Sequence, residues 1–358
     1  MEVSIAHISY QNTWRGGEQQ ASYLMEELQK QGVQQVLFAP KNSPLSEKAD
    51  SYGVEVIPVQ SRSIWSFAKA IGHFKEDYIF HSHDSNSHTA AVIAQSFFNS
   101  SLRLIVSRRV DFPIKKSILK RWKYNHGAVK KIICVSRAIQ SIMAVSISDQ
   151  SKLCTVHSGV DFSRFKNSTR TNALLTLLKL PKQTTLVGNV AALAPHKDYH
   201  TWLLAAKEIL RLQPDIHFVS FGDGPLKDVI HNYSRELGIE KSVTFLGFRD
   251  DIPTLLPCLD VFMFSSETEG LGTSIIDTMA CRVPVAATRA GGIPELVLHE
   301  KTGLLCEPKD ALSLAKNVLT ILERPSLNET LIQSASEHIK AFDKKETARH
   351  TLEIYTSI

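Results

Sequence analysis

A repeated alternation of short apolar runs with longer amphipathic stretches is the feature that most constrains this chain. Short runs rich in β-branched side chains predict buried strands, and helical spacing of apolar residues predicts helices between them. In the first such helix Ala21, Leu24, Met25 and Leu28 share one face, and Gly32 is placed to end it. Strands that alternate with helices in this way predict a parallel α/β architecture.

The alternation falls into two blocks, separated by a polar segment at residues 167–172. The first block predicts a helix over 18–31 and strands at 3–9, 35–38, 55–58, 78–81, 103–107, 131–135 and 152–156. The second predicts helices over 199–212 and 274–281 and strands at 185–190, 216–221, 242–246, 261–264 and 283–287. We therefore expect two Rossmann-like domains facing across a cleft, at residues 1–165 and 183–335, with a linker at 166–182. Ligands of open parallel sheets bind beyond the carboxyl ends of the strands, so one interdomain site is expected.

The composition excludes several classes of protein. With 358 residues, 43% hydrophobic and 22% charged, the chain is unlike disordered, collagen-like or coiled-coil sequences. No run approaches the ~18 apolar residues of a membrane-spanning helix, and no signal-peptide pattern opens the chain, so a cytoplasmic location is expected. Five cysteines without a CxxC pair favour buried free thiols. The net charge of +5, from 41 basic and 36 acidic residues, is too balanced to indicate nucleic acid as a partner.

The segment 265–280 carries the clearest chemistry, because it runs from a strand end through a glycine-containing loop into a helix. Gly270 and Gly272 let the backbone approach a ligand closely. The free backbone N–H groups expected at the start of the helix, which suit a diphosphate, belong to Thr273, Ser274 and Ile275. Asp277 can accept hydrogen bonds from the vicinal hydroxyls of a ribose, and Glu269 would lie nearer the reacting end. The same residues also fit a plain strand–helix turn with solvated acids.

This segment resembles the E-x7-E motif of the retaining glycosyltransferases of family 4, which have the two-Rossmann-domain GT-B fold. Other segments match that family in the same order along about residues 1–310. They are the glycine loop at 16–17, hinge-side elements at 135–137 and 158–165, the G-x-G-P turn at 222–225, the base-side segment at 247–249, and the loop and strand at 291–295 and 303–305.

The resemblance implies a retaining, metal-independent glycosyltransferase without a cofactor, which moves a sugar from a UDP- or GDP-sugar to a hydroxyl of a glycan or lipid-linked acceptor. Cell-envelope polysaccharide or lipopolysaccharide synthesis is the implied setting. The N-terminal domain would bind the acceptor, the C-terminal domain the nucleotide sugar, and the helix within 336–358 would cross back to the N-terminal domain.

Residue roles follow from the same resemblance. Glu269 would lie by the transferred sugar, Asp277 would hold the ribose, and Lys197 would neutralise the diphosphate. Lys197 taken alone also fits a solvated loop lysine. The remaining donor contacts would come from Gly16, Gly17, Gly222, Phe248, Arg249, Gly270, Leu271, Gly272, Thr273 and Ser274.

The chain departs from the family pattern at several positions. Asp277 stands where the family usually has glutamate, and Ala192 stands where it usually has an arginine that contacts the donor phosphate. Arg249 or Arg289 could compensate for that missing cation. Arg108 and Arg109 stand where the family often has a histidine, so that histidine's contact cannot be transferred.

The stretch 81–84, His-Ser-His-Asp, ends a strand and matches the family's H-x-H element. Alternation along the strand puts both imidazoles on one face. A metal site would usually need a third ligand, and no cluster in the sequence has convincing metal-ligand spacing. His83 is therefore either a substrate contact with a catalytic role or an ordinary polar residue at a strand end.

A basic stretch at residues 103–131 contains ten basic residues and one acid, Asp111. Apolar and aromatic side chains interleave with the cations, as in segments that lie in a membrane interface. The residues expected to face an acceptor or an anionic membrane surface are Arg108, Arg109, Lys115, Lys116, Lys120, Arg121, Trp122 and Lys123. A lipid-linked or lipopolysaccharide-type acceptor, with peripheral attachment to the cytoplasmic face of a membrane, is one hypothesis. An anionic soluble acceptor and a merely solvated basic face are the others.

Two functions from other classes also fit parts of the sequence. A GT-B epimerase of sugar nucleotides would share the fold and the donor site, but the basic, aromatic stretch argues against it. Ala192 and Asp277 raise the alternative of a non-catalytic protein that binds a sugar nucleotide. A dehydrogenase is disfavoured, because no G-x-G-x-x-G follows the first strand.

Overall fold

The structure, a computed structural model, describes residues 3–74, 76–114 and 117–358. It divides into two compact units. The first contains the residues up to Gly159 together with Phe342–Ile358, and the second contains Val160–Ala341. The segment 166–182, for which the sequence predicts a linker, lies in the second unit and contains the helix Ala173–Leu178.

The described part of the first unit contains a seven-stranded parallel sheet with the spatial order β3-β2-β1-β4-β5-β6-β7. The strands are β1 Ser4–Ile8, β2 Gln34–Pro40, β3 Glu55–Val59, β4 Ile79–Ser82, β5 Arg103–Arg108, β6 Val129–Cys134 and β7 Leu153–Thr155. The helices that follow these strands are α1 Gly16–Lys30, α2 Pro44–Ser51, α3 Ile64–His73, α4 Ser85–Phe97, α5 Ile118–Asn125 and α6 Arg137–Ala144.

The second unit contains a six-stranded parallel sheet with the order β10-β9-β8-β11-β12-β13 in the residues described. Its strands are β8 Thr185–Val190, β9 Ile216–Phe221, β10 Val243–Phe245, β11 Val261–Phe264, β12 Val285–Thr288 and β13 Leu304–Cys306. Its helices are α7 Ala173–Leu178, α8 Tyr199–Leu212, α9 Lys227–Glu236, α10 Ile252–Leu255, α11 Thr273–Ala280, α12 Ile293–Leu296, α13 Ala311–Glu323 and α14 Pro325–His338.

The last helix, α15 (Lys344–Thr356), belongs to the first unit although it follows the second unit along the chain. It packs against α1, where Lys344 Nζ lies 2.7 Å from a carboxylate oxygen of Glu26 and 3.4 Å from one of Glu27. Near the other end of α15, the side chain of Tyr355 is buried against the sheet. Apolar and ionic contacts together therefore attach this helix to the first unit.

Most strand residues are apolar and buried, because helices cover both faces of each sheet. In β1, for example, Ile5 packs into one apolar cluster while Ala6 and Ile8 pack into the other. The prediction of a parallel α/β fold is confirmed. Several boundaries differ from their predictions by one or two residues. For example, α1 begins at Gly16 rather than Glu18, with the carboxylate of Glu18 accepting a hydrogen bond from the backbone N–H of Arg15 at 3.0 Å.

Each sheet has a switch point, where chain connections leave in opposite directions and ligands of open α/β sheets bind. In the first unit it lies between β1 and β4, and in the second between β8 and β11. The three residues for which a catalytic role is expected follow three of these strands: His83 lies after β4, Lys197 after β8 and Glu269 after β11. None of the described helices is both long enough and apolar enough to cross a membrane.

Candidate functional site

The loop that follows β11 is built by glycines that the second unit requires. Gly272 stands immediately before α11 and has a φ of +93°, a backbone conformation that residues other than glycine rarely adopt. Gly291 also has a positive φ, and a Cβ there would lie 2.0 Å from the carbonyl oxygen of Glu269. The backbone N–H of Gly292 donates to the same oxygen at 2.9 Å. The turn at Gly291 and Gly292 therefore fixes the backbone of Glu269.

Lys197 and Glu269 form an ion pair, in which the ammonium donates to Oε2 of the carboxylate. Their side chains are only 14% and 15% exposed, which excludes a solvated loop lysine. The ammonium also lies 4.9 Å from the centre of the Phe264 ring. Ser265 Oγ lies 3.0 Å from the carbonyl oxygen of Lys197, so the loop after β11 is attached to the loop after β8. The fold thus joins two residues that the sequence places 72 positions apart.

Asp277 lies one turn into α11 and is half-buried. Its Oδ1 is buried and has no hydrogen-bond partner among the residues described. Burial raises the pKa of this carboxyl to about 7, against the opposing effect of the Arg164 charge. An unpartnered oxygen inside a folded unit is unfavourable unless a ligand or water supplies a donor.

The start of α11 differs slightly from its prediction. Thr273 and Ser274 are the first two residues of the helix, whose N–H groups have no intrahelical acceptor. The N–H of Ile275, expected to be free, donates to the carbonyl of Gly272 at 2.9 Å. Leu271 is only 3% exposed, so its side chain belongs to the core and leaves only its backbone for a donor contact.

Gly222 and the segment that contains Phe248 come together through the backbone. The N–H of Gly222 donates to the carbonyl of Gly247 at 2.7 Å. A Cβ at Gly222, whose φ is +137°, would lie 2.1 Å from the carbonyl oxygen of Ala191. Phe248 is 80% exposed, so its ring is available to stack on a flat ligand.

Neither arginine proposed to replace the cation missing at Ala192 is unpaired. Arg249 Nε donates to Asp251 at 2.7 Å. Arg289 Nε lies 3.3 Å from a carboxylate oxygen of Glu307. Both can still contact an anion, but each would share its charge with an acid of the same unit.

In the first unit, His7 of β1 joins His81 and His83 of β4 and the loop after it. His7 and His81 are register partners, and the rings of His81 and His83 lie 4.3 Å apart, which confirms that both imidazoles share a face. His7 Nδ1 is 2.9 Å from His83 Nε2. Burial lowers the pKa of His7 to about 4 and lowers the pKa values of His81 and His83 well below the usual range. All three imidazoles are therefore neutral at pH 7.

The nitrogens of these three histidines lie within 4.8 Å of one another, which is close enough to hold a metal ion. The sequence identified only two of them, because a third ligand from another strand has no spacing signal. Pairing of β1 with β4 in the predicted parallel sheet could have revealed His7. The imidazole nitrogens already have other partners. Among these, Gln35 Oε1 lies 3.0 Å from His7, and Tyr355 Oη and Ser107 Oγ lie 2.5 and 2.8 Å from His81.

The glycines at the start of α1 differ from those of the second unit. A Cβ at Gly16 or at Gly17 would meet no atom within 4 Å, and neither residue has a positive φ. Nothing in the described part of the first unit therefore requires glycine at these positions. Glycine is less favourable than alanine near a helix start, so the space above this backbone is a candidate for a ligand.

Not all basic residues of the stretch at 103–131 face solvent in the structure. The prediction that Arg108 faces a ligand or membrane is wrong: it is 6% exposed, and Nη1 donates to Tyr124 Oη at 3.2 Å. Lys123 is half-buried, with its ammonium 3.0 Å from the Ser85 carbonyl oxygen, and burial lowers its pKa to about 8. The predicted contacts Lys115 and Lys116 lie outside the described residues.

What remains is the exposed N-terminal half of α5, which we call the α5 face. Its apolar members are 86%, 75% and 51% exposed, and two cations lie among them. The α5 face consists of Ile118, Leu119, Lys120, Arg121 and Trp122.

Comparison with known proteins agrees with this arrangement. The chain matches the family described as Glycosyltransferase Family 4 over residues 14–164 and that described as Glycosyl transferases group 1 over residues 177–338. It is 36% identical over 125 residues to N-acetyl-alpha-D-glucosaminyl L-malate synthase of Bacillus anthracis, a match that spans 35% of this chain and 33% of the relative.

Two other relatives match along most of the chain. UDP-Gal:alpha-D-GlcNAc-diphosphoundecaprenol alpha-1,3-galactosyltransferase of Escherichia coli is 25% identical over 350 residues, covering 91% of this chain and 90% of the relative. The fold is similar to that of HepE of Anabaena, solved in complex with UDP-glucose. The TM-score is 0.86 at 21% identity, with 99% of this chain and 100% of that chain covered. The chain is a glycosyltransferase that belongs to family 4 and has the GT-B fold.

Proposed function

We propose that this chain transfers a sugar, with retention of the anomeric configuration, from a UDP- or GDP-sugar to a hydroxyl of a glycan or lipid-linked acceptor. The observation that carries the proposal is the little-exposed ion pair of Lys197 and Glu269 at the switch point of the second unit. Ligands bind at such points, and the helix start at Thr273 and Ser274 adds backbone donors suited to a diphosphate.

The chemistry of the donor explains why these groups are needed. As the bond between the sugar C1 and the phosphate oxygen breaks, negative charge develops on the leaving nucleoside diphosphate. Lys197 and the N–H groups of Thr273 and Ser274 would stabilise that charge more strongly in the transition state than in the ground state. Glu269 would hold the ammonium of Lys197 in place and contact hydroxyls of the transferred sugar.

Retention requires that the acceptor oxygen bonds to C1 on the face from which the diphosphate leaves. The acceptor oxygen would attack C1 directly on that face, so no protein nucleophile is needed. Its proton would pass to the departing phosphate oxygen, so no separate protein base is needed. Asp277 would accept hydrogen bonds from the ribose hydroxyls through its unpartnered Oδ1. The exposed ring of Phe248 would stack on the base.

The acceptor is the second part of the proposal. The names of the two relatives above identify L-malate and a diphospholipid sugar as the groups that receive the sugar, and both carry negative charge at pH 7. We propose an anionic acceptor of this kind for this chain. We further propose that the α5 face rests on an anionic membrane surface, that no nucleic acid is bound, and that no metal or cofactor is required.

A screen of nucleotide sugars tests the donor half. The purified chain would be heated with UDP-, GDP-, ADP- and CMP-sugars, with and without EDTA, and slow hydrolysis of each donor would be followed. We expect one donor to raise Tm by mass action and to be hydrolysed at a rate that EDTA does not change. Binding without turnover would favour a non-catalytic sugar-nucleotide protein, and a rate abolished by EDTA would contradict metal independence.

Binding to lipid vesicles tests the proposed contact between the α5 face and an anionic membrane. Sedimentation would be compared for vesicles of neutral lipid and of neutral lipid with 30 mol% (roughly a third) phosphatidylglycerol, because each exposed cation near an anionic surface contributes about 1 kcal/mol. Wild type should bind the anionic vesicles, and L119S should weaken binding at least about threefold. V145S is the matched control, since Val145 is 85% exposed on the same unit but outside the α5 face. Equal losses in both variants would contradict an interface at α5.

A further inference from the structure

Arg109 is a half-buried cation at the carboxyl ends of β4 and β5. Its Nη1 donates to the carbonyl of His83 at 2.9 Å, and its Nη2 donates to His83 Nδ1 at 3.4 Å. Its Nε is buried and has no partner among the described residues. No carboxylate in the described part of the chain forms an ion pair with this guanidinium within 4.0 Å.

Glu18 and Asp84 are the two acids whose charges act most strongly on Arg109, and both accept hydrogen bonds from other groups. Glu18 accepts from the backbone N–H of Arg15 at the start of α1. Asp84 accepts from the backbone N–H of Tyr10 at 2.7 Å and from two N–H groups of α4 at 2.9 Å. Both carboxylates thus serve helix starts and a loop, which leaves the charge of Arg109 without a direct counterion.

A chain of hydrogen bonds with one possible direction holds Arg109. Gln35 Nε2 donates to the carbonyl of Met25 at 3.1 Å, which leaves Gln35 Oε1 to accept from His7 Nε2 at 3.0 Å. His7 Nδ1 must then accept from His83 Nε2 at 2.9 Å, and His83 Nδ1 must accept from Arg109. A carbonyl can only accept and a guanidinium can only donate, so both ends of the chain agree.

This directed chain has two consequences. Each ring nitrogen of His7 and His83 has a partner of the correct polarity, so a metal ion would have to displace hydrogen bonds that are already satisfied. The guanidinium is also held in one orientation. Arginine has five N–H donors, and the bonds to His83 use two of them, so donors on the terminal nitrogens remain for a ligand.

We propose that Arg109 binds an anionic oxygen group of a substrate, a phosphate or a carboxylate, and that His7 is a positioning residue that acts on Arg109 through His83. This inference rests on the proposed function, since it assigns a group of the substrates named there. The shared chemistry is an oxyanion. It has two sources, an anionic acceptor and the diphosphate of the donor.

Inorganic pyrophosphate is a probe that separates these sources. Its affinity would be measured by calorimetry for the full chain alone and for the chain saturated with UDP, or with GDP if UDP does not bind. The same titrations would use R109Q, R109K and the control K69Q, which removes an exposed cation of α3 in the same unit. Pyrophosphate is informative even if no nucleotide binds, so failure of the proposed function and failure of this inference give different results.

If the acceptor is the source, the nucleotide-saturated wild type still binds pyrophosphate, and R109Q weakens that binding about 10- to 100-fold while nucleotide affinity is unchanged. If the donor is the source, saturation abolishes pyrophosphate binding and R109Q weakens the nucleotide itself by a similar factor. R109K should recover only part of either loss, because an ammonium cannot form the planar, forked contact. The inference is overturned if R109Q changes neither affinity, or if K69Q has an equal effect.

Substitutions at His7 test the positioning role. H7L breaks the chain, so the affinity that depends on Arg109 should fall about threefold or more. H7Q should restore it, because an amide can donate to Gln35 and accept from His83. In the H7L/R109Q double variant the two losses should not add, since both act through one guanidinium. Additive losses, or no rescue by H7Q in a variant with the wild-type Tm, would overturn the positioning role.

Discussion

The glycines of the two candidate sites have different surroundings. In the second unit, Gly222 and Gly291 are required by the fold, because a Cβ would lie 2.1 or 2.0 Å from a carbonyl oxygen of the same unit. In the first unit, Gly16 and Gly17 have open space around the Cβ position and no positive φ. At the candidate site of the second unit, glycine therefore indicates close packing. At that of the first unit, it indicates open space that a ligand can fill.

Their charged groups differ in a parallel way. In the second unit Lys197 is paired with Glu269, and Arg249 is paired with Asp251. In the first unit Arg109 has hydrogen bonds but no ion pair among the described residues. A pair that a unit satisfies internally also contributes to its packing, so its substitution should change stability as well as activity. Where a unit leaves a charged group without a partner, substitution of that group should change activity more than stability.

The Lys197–Glu269 pair is where the largest effect is expected. If the pair also serves the donor, K197M should lower the transfer rate by about 100- to 1,000-fold, because it removes the cation that faces the leaving diphosphate. E269Q should lower it by a similar factor, since the ammonium loses its orienting partner. Initial rates with the donor that the wild type uses would measure both effects.

A second ion pair in the same region provides the control. Lys309 and Glu267 lie 3.3 Å apart, with side chains 69% and 37% exposed, and exposed pairs contribute little to stability. K309Q should change the rate less than about twofold, as expected for an exposed pair. If K197M loses only as much activity as K309Q, the buried pair is structural and the second unit differs from the first in packing alone.

The glycine comparison leads to the next prediction. G222A should destabilise the protein, because its Cβ would overlap the Ala191 carbonyl and its φ of +137° is unfavourable for alanine. G16A should leave Tm unchanged or raise it, since alanine reduces the entropy of the unfolded chain. If a substrate occupies the open space, G16A should nevertheless lower kcat/KM about 10- to 100-fold.

Thermal unfolding and steady-state kinetics on the same preparations would separate the two outcomes. G127A is the matched control, because a Cβ at Gly127 also meets nothing within 4 Å but belongs to an exposed turn after α5. Full activity in G16A would show that the open glycine has no ligand above it. The contrast between the units would then concern local backbone preference only.

The sequence predicted the second unit's candidate site better than the first unit's, for a physical reason. Glu269, the helix start and Asp277 lie within one strand–loop–helix segment, so spacing along the chain reports their spacing in the fold. The hydrogen-bond chain that ends at Arg109 includes residues of β1, β2 and the loop after β4, and sequence spacing contains no information about such contacts. Strand order would have been needed to place His7 beside His81.

Composition was also misleading for the basic stretch, because burial decides which of its cations face solvent. The basic stretch was interpreted as one surface, yet Arg108 is buried beneath Tyr124 and Phe112, and Lys123 is attached to α4. A count of charges cannot distinguish a cation that faces solvent from one that supports a loop. The exposed α5 face is therefore smaller than the sequence suggested.

Asp277 provides the smallest expected effect. Its buried Oδ1 has no hydrogen-bond partner among the described residues. Burial raises its folded-state pKa from 3.8 to about 7, so the folded protein binds this proton more tightly than the unfolded chain. Its effect on stability is therefore absent below about pH 4, becomes unfavourable between about pH 4 and pH 7, and is constant above about pH 7.

The variant D277N should match the wild-type Tm at pH 4 and exceed it by about 2–4 °C at pH 8. The same variant should bind the nucleoside diphosphate about tenfold more weakly at pH 8, because the charged acceptor for the ribose hydroxyls is gone. A Tm difference that does not depend on pH, or an unchanged nucleotide affinity, would show that Asp277 is satisfied within the second unit after all.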